Sequence, residues 1–142
     1  MTAKRAKLFG LGIILAHLAI STIHGLAHQG AMVTLPTFGF VYVLVVITLA
    51  PLVAGGLIFT RWARIGALLL VLSMSGSFVF GGWYHFLSAT NDHVSQVHGP
   101  WRSTFIGTAI VLAVSELVGV IIGISALRTI AKPFDSLTRR AG

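Results

Sequence analysis

LPTFGFVYVLVVITLAPLVAGGLIF, residues 35 to 59, runs without one charged side chain. In water its Val-, Ile- and aromatic-rich centre would favour a strand. The run is, however, longer than the ~20 residues a helix needs to cross ~30 Å of hydrocarbon. In lipid every backbone N–H and C=O must be paired within the segment, so the solvent overrides propensity and the run reads as helix. Pro51, followed by Gly55 and Gly56, predicts a kink in it.

Three further runs have the same character, residues 8–28, 65–87 and 104–127. With 56% hydrophobic and only 9% charged residues, the chain is too apolar for an ordinary soluble domain. The expected fold is all-α, a four-helix transmembrane bundle forming a single integral membrane domain over residues 1–142.

A net charge of +7 raises the question of nucleic acid, but position matters more than sum. Lys4, Arg5 and Lys7 precede the first run, Arg61 and Arg64 lie between the second and third, and Arg128, Lys132, Arg139 and Arg140 follow the fourth. Arg102 alone lies on the other side. This asymmetry predicts an N-in/C-in topology, with a cytoplasmic basic tail over residues 128–142 in which Pro133 ends the helix. Residues 29–34 and 88–102 then face outward. The expected partners are the lipid bilayer and either further copies of the chain or a larger membrane complex, with no nucleic acid. Residues 1–30 also fit a secretory signal, with a basic start and small residues from Ala27 to Ala31. Against cleavage, the apolar run is long for a signal core and holds His17.

Small residues mark close helix contacts: Gly119 and Gly123 in the fourth run, and Ser73, Ser77 and Gly81 at four-residue spacing in the third. There is no cysteine, which excludes thiolate metal sites, Fe–S clusters and thiol nucleophiles. Walker-type, GxGxxG, HExxH and GxSxG motifs are also absent, removing support for nucleotide hydrolysis, zincin proteolysis and lipase chemistry.

Histidine is where chemistry concentrates. His17, His24 and His28, spaced by seven and four, form one helical stripe that should face the bundle. His24 and His28 lie toward the outer end of the first run, His85 toward the outer end of the third, and Asp92, His93 and His98 in the outer loop. A thiol-free, imidazole-rich set suits Cu, Fe or Zn. His24, His28 and His85 are the expected core ligands, with His93, His98 and Asp92 completing the shell or orienting it. A single haem b held by His24 or His28 opposite His85 competes, with Gly25, Gly81 and Gly82 leaving room and Phe78, Trp83, Phe86 and Phe105 packing on the ring. A bland reading makes these histidines interfacial residues beside Trp83, Tyr84 and Trp101.

Glu116 is the one acidic residue inside an apolar run, and His17 lies at similar depth. The pair reads as a proton relay or as a polar clasp between the first and fourth helices, with Ser115 or Thr108 contributing. Three functions follow as expectations: a membrane protein with a His-ligated metal or haem site near its outer face, serving redox chemistry or metal handling; a proton or cation transporter component using His17 and Glu116; or a non-catalytic accessory subunit. Any enzymatic role would be that of a metal- or haem-dependent oxidoreductase.

Overall fold

The Thr2 hydroxyl accepts a hydrogen bond from the Arg5 N–H (3.4 Å) and caps helix α1, Ala3–Gly30. Lys4, Arg5 and Lys7 are good helix formers, so α1 extends beyond the apolar run that hydropathy marks. The computed structural model describes residues 2–130, in which α1 is followed by α2 (Thr37–Ile58), α3 (Ala63–Leu87) and α4 (Arg102–Ile130). All four are long and apolar enough to cross a membrane, and no strand occurs among the described residues. Lys132, Pro133, Arg139 and Arg140 of the basic tail lie outside them.

Where the sequence predicts a kink, α2 changes its hydrogen-bond register instead. Pro51 has no N–H, so the carbonyl of Ile47 lacks its ordinary helical donor. Over Val43–Leu49 the ladder opens to a π form, the Ala50 N–H reaching back to the Val45 carbonyl. The Thr48 hydroxyl donates to the Val43 carbonyl at 3.0 Å.

Helix α4 packs along both α1 and α3, and α2 packs on α3. Two glycine contacts set these distances. A Cβ on Gly66 would lie 2.7 Å from the Ile58 nitrogen and 2.9 Å from the Ala54 oxygen, and one on Gly123 would lie 2.6 Å from Val71 Cγ2. The core has three parts. At the proximal end, where α1 and α3 begin and α4 finishes, Ala6, Ala67 and Ala126 meet. Ile14, Ala54, Ile58, Leu70 and Met74 fill the middle, and Ala27, Val97 and Phe105 close the distal end. Leu15, Leu72, Val114 and Ile121, all more than half exposed, point outward, as suits a surface in contact with acyl chains.

Helix α1 meets α2 mainly through the Ala50–Ile58 portion, whereas α3 remains beside α2 along Val43–Leu49 as well. In the distal half the α1/α2 seam therefore stays loose. A cavity of about 580 Å³ occupies that space.

Candidate metal centre

His24 and His28 are one helical turn apart on α1 and present their rings side by side, centroids 4.8 Å apart. On α3, the last turn widens to a π form over Trp83–Leu87, carrying the buried His85 inward. The Val94 N–H ties down the His85 carbonyl (3.0 Å), which fixes the start of the α3–α4 loop. From α4, Phe105 packs against all three imidazoles, with centroids 4.8–5.4 Å away, and is itself fully buried. Helices α1, α3 and α4 thus each supply one wall.

Hydrogen-bond partners constrain the ring protons. His24 Nδ1 lies 2.7 Å from the Thr108 hydroxyl, which is also 2.7 Å from the Thr104 carbonyl. The single Thr108 proton goes either to that carbonyl, in which case His24 carries its proton on Nδ1, or to His24 Nδ1, in which case His24 carries it on Nε2. His85 Nδ1 donates to the main-chain carbonyl of Asp92 at 3.1 Å. A neutral imidazole has one N–H, so His85 Nε2 is a lone pair, and His24 Nε2 is either a second lone pair or the donor of a hydrogen bond to it. The two Nε2 atoms face each other at 3.1 Å. Two nitrogens bonded to one ion at about 2.0–2.1 Å stand ~2.9–3.4 Å apart. The observed 3.1 Å falls in that range and is also the length of a direct N–H···N hydrogen bond.

His28 adds a third nitrogen: one ligand atom from each of the three rings lies within 4.8 Å of the others. Its Nδ1 donates to the Val33 carbonyl at 3.4 Å, and the Val33 N–H returns to the His28 carbonyl at 2.9 Å. The chain reverses there through Met32, held at φ +55°. Asp92 is 4% exposed, with Oδ1 3.4 Å from His28 Nε2 and 3.2 Å from His85 Nδ1. Because the His85 proton is directed at the Asp92 main-chain oxygen, neither carboxylate oxygen gains a well-aligned hydrogen bond. Burial pushes the Asp92 carboxyl upward. The His85 contact and the neighbouring imidazoles outweigh this and hold it below the usual carboxylate range. Three imidazoles and a buried carboxylate thus share one small space, a donor set compatible with a metal ion.

No family model, curated protein or solved structure matches this chain. Function therefore has to be argued from the site itself.

The structure brings His24, His28 and His85 together with Asp92 beside them, and leaves His93 and His98 apart. Both nitrogens of His93 are engaged within the loop, Nδ1 with the Ser95 hydroxyl (2.7 Å) and Nε2 with the Phe86 carbonyl (3.2 Å). His98 is exposed next to Gly99, the glycine of a turn with φ +84°. His17 is fully buried, but its partner is not Glu116. Its Nε2 donates to the Ile47 carbonyl at 3.2 Å, the oxygen deprived of a donor by Pro51, and Ser21 lies 3.4 Å away. Glu116, 3% exposed, lines the cavity and makes no hydrogen bond or ion pair with the described residues. Sequence reasoning missed two partners, Thr108 for His24 and the Ile47 carbonyl for His17. The second could have been found by asking which carbonyl Pro51 leaves without a donor.

Proposed function

We propose that the chain is an integral membrane protein that holds a transition-metal ion, Cu, Fe or Zn, on His24, His28 and His85 near its outer face, for metal handling or redox chemistry. The observation that carries this reading is the convergence of three imidazoles, one nitrogen from each within 4.8 Å of the others and the His24 and His85 Nε2 atoms 3.1 Å apart. The outward placement rests on the Lys and Arg distribution, which puts both termini in the cytoplasm. A tetrahedral ion on three imidazoles would keep a fourth position for an outside ligand, and all three histidines line the cavity. Thr108 and the Asp92 main chain act as the outer partners that orient ligating imidazoles.

An ion is favoured over a haem. Two axial imidazoles on haem iron stand about 4 Å apart, nitrogen to nitrogen, with the macrocycle between them. Here His24 and His85 are in edge-to-face contact, centroids 4.8 Å apart, and leave no slot for a flat ring. The test is metal content by mass spectrometry on protein purified without chelators. Wild type should retain close to one transition-metal ion per chain, and the His24→Ala/His85→Ala variant should insert normally but retain none. Equal metal in both proteins would overturn the assignment.

A further inference from the structure

The cavity continues past the imidazoles into the middle of the bundle, where Ser77 and Glu116 line it. These residues lie eight positions from His85 and Thr108, about 12 Å deeper along α3 and α4. Ser77 is fully buried, and its hydroxyl has no hydrogen-bond partner among the described residues. Glu116 likewise lacks a partner among the described residues. Two buried polar side chains line one space and find no partner among the described residues, which leaves them available to an occupant.

The mouth and the walls define that occupant. Gly25 on α1 and Phe40 on α2 line the cavity and are exposed, so it opens through the loose α1/α2 seam, while the exposed Gln29, Thr34 and Thr37 form its rim at the α1–α2 turn. In a membrane the seam meets lipid. Phe40 and Phe80 present aromatic faces, and the surface of the cavity is mostly apolar although polar residues are interspersed along it. A volume of about 580 Å³ falls within the range of sites for small organic ligands. Past the imidazoles the inner walls are Val43, Ile47, Phe80, Ala109, Leu112 and Ala113, which give a file of water no side-chain partner. A charged amine would have to shed its hydration along the same walls. A neutral ring with carbonyl oxygens meets none of these obstacles, accepts from the Ser77 hydroxyl and the Glu116 carboxyl group, and travels in the bilayer.

We infer that this cavity is a binding site for a lipid-soluble carbonyl-bearing ring compound of the quinone class, entering between α1 and α2 and anchored at its inner end by Ser77 and Glu116. Binding at this inner end does not require the metal ion. The probe is decylubiquinone, followed by equilibrium gel filtration of the purified full chain in detergent. Wild type should bind one molecule per chain. Ala113→Phe, which fills the cavity, and Glu116→Leu, which removes the anchor, should weaken binding about tenfold or more. The His24→Ala/His85→Ala variant should still bind, which separates failure of this inference from failure of the metal assignment. Equal binding by wild type and both Ala113→Phe and Glu116→Leu would overturn the inference. So would equal binding of an alkylbenzene without carbonyls, or preferential binding of decylamine that is lost in Glu116→Gln.

Discussion

At the proximal end, α1, α3 and α4 meet through Ala6, Ala67 and Ala126, which offer no side-chain polar atom. At the distal end the same helices bring together three imidazoles, a threonine hydroxyl and a carboxylate. Helix α2 accounts for much of the contrast. It is held closely where Gly66 admits its backbone, and it leaves the seam with α1 loose over the stretch that carries the cavity. Lipid gives no hydrophobic drive for helices to associate, so small residues and close contact must supply the adhesion. Close glycine contacts occur at both ends, Gly66 against Ile58 proximally and Gly30 against Trp101 distally, so it is the loose α1/α2 seam that leaves room for the polar groups.

The strongest way to break this division is at the proximal end. Gly66→Leu places a side chain against the backbone of Ile58 and Ala54, which cannot yield. It should cost about 3 kcal/mol or more, seen as loss of a monodisperse species on size exclusion. Distal substitutions should behave differently. Saturating Zn(II), at about a hundred times its Kd, should raise wild-type stability by about 2.7 kcal/mol. His24→Leu should abolish that gain, while its metal-free form should lie within about 1 kcal/mol of metal-free wild type or above it, because a buried polar ring has given way to an apolar side chain. Thermal unfolding with and without zinc measures both.

Thr108→Val keeps the volume but removes the hydroxyl that orients the His24 ring, and should weaken zinc binding by about 10- to 100-fold, with Thr108→Ser restoring it; competition against a chelator reads the change. Between the two regions, His17→Leu strips the Ile47 carbonyl of its donor and should cost about 1–3 kcal/mol. Adding Pro51→Ala returns a main-chain N–H within reach of that carbonyl and should recover part of the loss in thermal unfolding. The smallest effect is expected at the α1–α2 turn. Met32→Gly relieves a non-glycine residue at φ +55° and should add about 1 kcal/mol.

The spans were legible because hydropathy and length alone dictate them, and the Pro51 position was legible as a disturbance though not as a π-form widening. The coincidence of His24, His28 and His85 was also legible, since helical rise converts sequence offset into depth. Their protonation was not. It depends on Thr108 lying opposite His24 and on the Asp92 main chain folding back onto His85, contacts between residues 84 and 7 positions apart. Loop histidines resist the same reasoning for a physical cause: without a regular rise per residue, nothing in the spacing of His93 and His98 fixes where their rings point. Pairing His17 with Glu116 by equal depth also ignored backbone acceptors, and the carbonyl opposite Pro51 was the better partner.

The three convergent imidazoles are the centre of the account, and X-ray absorption at the zinc edge on the Zn(II)-loaded, detergent-purified chain addresses them directly. The account predicts a first shell containing three imidazole nitrogens at about 2.0–2.1 Å, reduced when His24 or His85 is replaced. A shell of oxygen alone, or no zinc retained by the wild-type chain, would contradict it.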